Sequence, residues 1–346
     1  MKHNISDREL TEREREILQR IVHIYILNGN PVGSRFLSKI IQGEMNLSPA
    51  TLRNIMSDLE DMHFISHPHT SAGRVPTDKG YRFYVNNLSK IPKLDKSEIA
   101  SIQNNLLKAP QEFAYQNASK LLGALSKYLS IIELPSFKDY LIRKIDIVEL
   151  SSNKILVILE LESDFIKTVT LEINFELQNN ELQTITQIIN EKVSGKPLSF
   201  IKDNFYKLLS DSDFVDTPLI RLFTDSVSKI FEAQPMNQRL MITGTKNLLY
   251  YPEFEDLKRV RTIIELVENE DVIVHVLEKI DDLDTMNVLI GSELELDILD
   301  DYSLIRSSFK SGSASGSIGI IGPKRMNYSK MISLVSIFSK VLSDVK

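Results

Sequence analysis

The 346-residue chain contains no cysteine, which excludes disulfides, thiolate metal sites and cysteine nucleophiles and fits a reducing compartment. No apolar run approaches the ~18 residues that a membrane-spanning helix requires, so no membrane segment is expected. The opening Met1-Lys2-His3-Asn4-Ile5-Ser6-Asp7-Arg8-Glu9 lacks the apolar centre of a secretion signal, and the expected location is cytoplasmic. Histidine is scarce: six in all, five of them in the first 93 residues. Of these, His63, His67 and His69 have no acidic or cysteine partner at ligand spacing and predict a surface ribbon with no metal. His275 sits in the apolar run Asp271 to Val276, and the acidic pairs Asp281-Asp282 and Asp300-Asp301 have no nucleophile or metal spacing around them. The Gly- and Ser-rich Ser311 to Gly319 lacks the Gly-Lys-Ser/Thr ending of a phosphate loop and predicts a hairpin tip between two strands. No catalytic residue, cofactor or enzyme activity is therefore expected.

What is present is an ordinary globular composition, 42% hydrophobic and 25% charged, with length for two or three domains. The net charge of −6 is unevenly divided. Residues 1–93 carry 13 basic and 10 acidic side chains, net +3, which leaves 28 basic and 37 acidic, net −9, for the rest. A mildly basic head on an acidic body suits a small nucleic-acid module.

Local signals give that head an order of elements. Thr11-Glu12-Arg13-Glu14 is a capping box that opens a helix with Ile17, Ile21, Ile24 and Tyr25 on its buried stripe, and Asn28-Gly29 closes it. Ser34 is expected to cap a second helix through Ile41, with Phe36, Leu37 and Ile40 facing inward. A third helix follows the turn Gly43 to Asn46, with Ser48 as N-cap and Pro49 in the first helical position. Leu52, Ile55, Met56 and Leu59 form its apolar face. A rotation of about 100° per residue puts Ala50, Asn54 and Ser57 opposite, flanked by Thr51 and Arg53. Small and bidentate-capable side chains on the first two turns suit a major groove. Phe64 to His67 and Arg74-Val75 predict the two strands of a wing, with Gly73 expected to supply a positive φ at its tip and Arg74 to reach phosphate or minor groove. Thr77 then caps a fourth helix through Leu88.

Ser89 to Lys96 is charged and broken by Pro92, a linker. Helices are expected at Ser97–Leu107 and Gln111–Leu129, then a meander of strands at Ile145–Leu150, Lys154–Leu161 and Thr168–Ile173. Helical stretches follow from Leu182 to Phe231, and strands resume at Arg239–Thr243, Met286–Ile290, Ser303–Lys310 and Ser317–Ile321. One sheet built from both ends around a helical insert is the simplest reading.

Leu10-Thr11-Glu12-Arg13, Pro31-Val32-Gly33-Ser34-Arg35, Leu47-Ser48-Pro49-Ala50-Thr51-Leu52-Arg53-Asn54 and His69 to Arg82 resemble the bacterial heat-inducible transcription repressor HrcA family. The likeness continues through Gly244 to Leu249, Pro252-Glu253-Phe254, Ile290-Gly291-Ser292-Glu293 and Gly319 to Tyr328, although Lys324 stands where the family more often has Thr. The resemblance implies an α+β protein: a winged helix-turn-helix over residues 1–90, a GAF-like α+β body over 97–175 and 235–346, and an inserted, mainly helical dimerisation domain over 176–234. It implies a homodimer that represses chaperonin and DnaK-type chaperone operons from a double-stranded inverted-repeat operator, releases it on heat stress, and has the chaperonin as a modulator of its activity. The expected DNA contacts are Ser34, Arg35, Ser48, Ala50, Thr51, Arg53, Asn54, Ser57, Thr70, Ser71, Gly73 and Arg74. On the residues alone, a ligand-gated regulator that senses a small molecule through the body is the alternative, and an enzyme fused to a DNA-binding head is a weaker one.

Overall fold

The structure, a computed structural model, describes residues 8–68, 73–88, 94–107, 111–135, 140–162, 166–175, 179–212, 214–232, 240–248, 250–251, 256–278, 286–311 and 314–345. The head comprises α1 (Glu12–Asn28), α2 (Ser34–Ile41), α3 (Pro49–Asp61), the two-residue strands β1 (Ile65–Ser66) and β2 (Val75–Pro76), and α4 (Asp78–Asn86). Its boundaries follow local chemistry. Thr11 and Glu14 form the reciprocal capping box, Gly29 ends α1 at φ 68°, and Ser48 and Thr77 accept hydrogen bonds from backbone N–H groups in the first turns of α3 and α4. Glu14 is itself buried, and the hydrogen bonds from Arg8 and from the Thr11 backbone and hydroxyl hold its carboxyl down to about 2.

Two expectations in α2 fail. Gly33, with no side-chain cap, precedes the helix, and Ser34 is its first residue. Leu37 and Ile41, one turn apart, are the buried pair, while Phe36 and Ile40 are 48% and 47% exposed. The helix is rotated so that only its i, i+4 pair reaches the core.

The body begins with α5 (Lys96–Leu107) and α6 (Gln111–Ser126). Lys127, at φ 64°, stops α6 short of the expected end, and Leu129–Glu133 becomes strand β3. Its run Leu129-Ser130-Ile131-Ile132 is buried on both sides, so it lacks the alternation that marks a half-exposed strand. β3 lies inside a five-stranded antiparallel sheet of order β7-β3-β10-β9-β8, with β7 (Leu240–Thr243), β8 (Asn287–Ile290), β9 (Tyr302–Ser311) and β10 (Ala314–Pro323). Most of the run expected as a hairpin tip is strand: Ser311 pairs with Ala314, and Gly312 and Ser313 between them lie outside the described residues. One face of the sheet carries α6 and α14 (Tyr328–Ser343), through Ser119 to Thr243, Ser303 to Tyr328 and Ser307 to Ser339. The short α11 (Thr245–Leu248) follows β7, and the sheet's other face packs on α12 (Leu257–Glu268) and α13 (Glu270–Glu278), helices where the sequence reading assigns nothing. On that second face Arg306 is only 2% exposed, and its Nε and Nη1 have no hydrogen-bond acceptor among the described residues.

The expected meander exists but belongs elsewhere. β4 (Ile142–Ser151), β5 (Lys154–Leu161) and β6 (Ile166–Glu172) form a separate antiparallel sheet of order β4-β5-β6. They share a core of their own with α7 (Asn179–Val193), α8 (Leu198–Leu209), α9 (Pro218–Asp225) and α10 (Val227–Phe231). The body therefore gives up residues 140–175, which the sequence reading assigns to it, to an inserted unit of three strands and four helices. Alternation along β5, with Ile155, Val157, Leu159 and Leu161 buried, requires a covering apolar layer, and α7, packed on β4 and followed by α8 in the same core, supplies it.

Candidate nucleic-acid interface

α3 has two unlike faces. Leu52, Ile55, Met56 and Leu59 are buried, as the spacing requires, and Ala50, Arg53, Asn54 and Ser57 are exposed. Ser48 Oγ accepts from the Thr51 N–H at 3.1 Å and lies 2.9 Å from Thr51 Oγ1, so the cap draws Thr51 against the helix start and leaves it half-buried. Ser34 and Arg35 begin α2, which packs on α3; Ser34 is half-buried and Arg35 exposed. Arg35, Lys39 and Arg53 are exposed cations that make no ion pair with any described residue. Lys39, on the outer side of α2, is a candidate phosphate contact that the sequence reading passed over.

The wing departs from expectation in two ways. β1 and β2 pair through Ile65 with Pro76 and Ser66 with Val75, and Val32 bridges to Arg74 by mutual backbone hydrogen bonds of 2.8 and 2.9 Å. Gly73 does not have a positive φ. A Cβ there would stand 2.7 Å from Pro31 backbone and side-chain atoms, so glycine is needed for close approach of the two segments. Arg74 is not an outward phosphate hook either. Its Nε and Nη2 both lie 2.9 Å from Glu60 Oε2, and its side chain is 16% exposed. Glu60 also contacts His67 Nδ1. A carboxylate at the last turn of α3 thus ties the recognition helix to both arms of the wing. An acid on the helix that precedes a basic ribbon was the available signal. Thr70 and Ser71 lie outside the described residues.

Behind this surface, α4 rests on the body. Asp78 accepts from the Ser292 N–H at 3.0 Å, the Ser292 hydroxyl at 3.1 Å and Lys324 Nζ at 2.6 Å. One turn on, Arg82 Nε donates to Glu293 at 2.8 Å, and Arg82 Nη2 reaches Glu293 and the Val288 carbonyl. Between them Tyr81, 3% exposed, meets the fully buried Tyr328 at a ring separation of 6.2 Å.

Among the described residues no group of three or more His, Asp or Glu could hold a metal ion, and no helix is long and apolar enough to cross a membrane. A tri-helical head whose third helix is apolar on one side and small, polar and basic on the other, beside a braced ribbon, defines a winged-helix DNA-binding protein. Residues 9–89 match the family description "Winged helix-turn-helix transcription repressor, HrcA DNA-binding", and residues 113–332 match "HrcA protein C terminal domain". The chain belongs to the HrcA family of transcription repressors. It is 35% identical to the heat-inducible transcription repressor HrcA of Chlorobium phaeobacteroides (strain BS1), over 97% of this chain and 98% of that one. Against the protein of the same name from Halalkalibacterium halodurans it is 33% identical over 97% of both. A crystal structure described only as a hypothetical protein is similar at a TM-score of 0.65 and 25% identity, covering 97% of this chain and 98% of the other. The body is accordingly GAF-like, and repression of transcription is not an enzymatic class of activity.

Proposed function

We propose that the chain is a cytoplasmic, sequence-specific repressor of heat-shock chaperone operons, chaperonin and DnaK-type, that holds an inverted-repeat operator as a homodimer and releases it on heat stress. The observation that carries this reading is the two-faced α3, with Ala50, Arg53, Asn54 and Ser57 presented beyond a fully packed opposite side. In this reading Arg53 and Asn54 read base edges, Ala50 and Ser57 admit the groove wall, Ser48 and Thr51 meet phosphate at the helix N-terminus, and Ser34, Arg35 and Lys39 follow the backbone. Thr70 and Ser71 belong to the wing contact, while Gly73 and Arg74 shape the wing from behind.

The dimer reading draws support from the insert. It is a self-contained unit that leaves Val148 and Leu150 on edge strand β4, Ile166 on β6 and Tyr206 on α8 between 44% and 63% exposed. Apolar surface of that kind suits pairing with a second copy, and two readers on a two-fold axis add their energies on a palindrome. The chaperonin reading draws support from Arg306: a body that buries a guanidinium whose Nε and Nη1 find no acceptor among the described residues has a native state that is costly to reach.

Footprinting on duplexes that carry the inverted repeat, with and without chaperonin, tests the whole. Protection of both half-sites, extended to higher temperature by chaperonin, is expected; protection of one half-site, or none, refutes it. Arg53→Ala and Asn54→Ala are each expected to lose about 1–3 kcal/mol of base discrimination. Unchanged operator preference in both would remove them from the reading surface.

A further inference from the structure

Three segments with no part in DNA contact converge at one place. These are Thr77 to Arg82 at the start of α4, Ile290-Gly291-Ser292-Glu293 at the end of β8, and Pro323 to Tyr328 between β10 and α14. Far apart in the chain, they are the join between reader and body.

Around the buried Tyr81–Tyr328 contact, charged side chains of the described residues attach the reader at three places. At the first turn of α4, Asp78 receives two hydrogen bonds from Ser292 and an ion pair from Lys324. Gly291 makes this fit possible. At φ 52° it brings the backbone so close that a Cβ would stand 2.3 Å from the Asp78 carboxylate. One turn later Arg82 grips Glu293, whose Oε2 also accepts the Ile290 N–H at 2.9 Å and so is itself fixed in direction. The third attachment is on another helix. Arg325 lies against Gly29 at the C-terminus of α1, its Cζ 3.2 Å from where a Cβ on Gly29 would be. A guanidinium there faces the negative end of the helix dipole. The contacts along α4 lie on one line, and the approach of Arg325 to α1 adds a point off that line, which opposes rotation of the reader about α4. The reader is fixed in rotation as well as position.

We propose that Asp78 and Arg82 are positioning residues for operator binding: they hold the reader at one angle on the body and thereby set the half-site spacing that the dimer accepts. The inference rests on the dimeric-repressor reading above. Recognition helices of a dimer must enter major grooves about one or more helical turns apart, so the spacing accepted is a direct record of how rigidly each reader is held. A reader that swings on its linker accepts several spacings, each less well, because its effective concentration at any one is lower.

The experiment uses the full chain and duplexes selected from random sequence by the wild-type protein, as single half-sites and as inverted repeats with spacers varied by single base pairs. Wild type is expected to show one sharp spacing optimum. Arg82→Ala and Asp78→Ala should bind a single half-site within about twofold of wild type, lose about tenfold on the best-spaced repeat, and vary less with spacer length. The cysteine-free chain permits a second arm, the pair Asp78→Cys with Ser292→Cys. Its oxidised, bridged form should keep the sharp optimum and its reduced form should broaden it, a comparison within one protein that stands even where an alanine variant fails to fold. Identical spacing profiles for wild type, Arg82→Ala and the reduced pair overturn the positioning role while leaving the repressor reading intact. A wild-type protein that prefers no inverted repeat over a half-site overturns the repressor reading instead.

Discussion

The reader and the insert relate to the body in opposite ways. The reader is joined to it in sequence only by the segment around residues 89–93, yet one continuous core runs from Ile17 and Leu52 through Tyr81 and Tyr328 to Phe338. The insert is embedded in the body covalently at both ends, yet it packs on itself, from Tyr140 to Phe231. Among the described residues its ties to the body include the Tyr140 hydroxyl, which donates to the Ser311 carbonyl at 2.5 Å, and Ala314 at the β9–β10 turn, which joins its core. Covalent embedding therefore does not measure mechanical coupling; shared apolar burial does. A signal that loosens the body reaches the reader through packed side chains, whereas the insert can keep its fold, and in the proposed dimer its partner, while the rest rearranges.

The strongest way to break this contrast is to cut each core at one buried aromatic. Tyr328→Ala removes a fully buried ring and its hydroxyl partners Ser303 and the Lys324 carbonyl, and should cost about 3–5 kcal/mol. Phe205→Ala, which empties a position beside Phe223 and Phe231, should cost a similar ~3–5 kcal/mol. Hydrogen exchange distinguishes them: the first should deprotect α4 and β9 together and spare α8, the second should deprotect α8 and α7 alone. Deprotection of the whole chain in both variants would mean a single cooperative unit.

Acid sharpens the comparison from the reader's side. The Glu14 carboxyl lies at about 2 in the folded chain against 4.5 for an ordinary glutamate, chiefly through its hydrogen bonds from Arg8. Because the folded value is the lower one, its stabilisation is complete above about pH 4.5 and is lost as pH falls through 2. Because the Arg8 partner is solvent-exposed and the pair is screened, the effect is on the order of 1 kcal/mol, below the full ~1.4 kcal/mol per pH unit. Glu14→Gln should flatten the pH dependence of urea midpoints between pH 4.5 and 2, and protection lost first in α1 would locate the effect. A slope equal to wild type would refute it.

How much of this was legible depended on how local the cause is. Caps at Thr11, Ser48 and Thr77, the Gly29 stop and the buried face of α3 are written within four to eight residues of where they act, and sequence reasoning placed them. β3 was not legible because Leu129 to Ile132 is apolar without a period and directly continues a helical stripe. The strands from Ile142 to Glu172 were found, but which sheet they join is settled by the helices that cover them, far along the chain. In the candidate interface, the exposed side of α3 was legible from its wheel. The inward turn of Arg74 had only a distant signal, the acid Glu60 fourteen residues away, and no local rule pairs the two.

The body has its own point of leverage in Arg306. Burial lowers its pKa, the charge of Glu133 works the other way, and among the described residues Nε and Nη1 have no acceptor. Arg306→Met keeps length and removes the charge and its desolvation cost, and should stabilise the shared core by roughly 1–4 kcal/mol, the range seen when buried ionic groups are replaced by apolar side chains of similar volume. Thermal unfolding followed in α14 and α1 should shift upward together while α8 stays unchanged. A lower melting temperature would show that the guanidinium is stabilising. A stabilised variant that holds the operator at temperatures where wild type has let go would tie this liability to heat release.

The smallest expected effect separates folding from recognition at a single atom. Ser48 Oγ caps α3 at the edge of the DNA-facing surface, so its loss acts on both. Ser48→Ala removes the cap and should cost about 1 kcal/mol of stability. Ser48→Asp keeps an acceptor for the Thr51 N–H and suits the positive end of the helix, so stability should stay within about 0.5 kcal/mol of wild type. On DNA the order reverses. A carboxylate at the helix start repels phosphate, so Ser48→Asp should bind the operator more weakly than Ser48→Ala, with the gap narrowing as salt is raised. If both variants lose affinity only in proportion to their stability, the start of α3 points away from DNA and the proposed docking of the recognition helix is wrong.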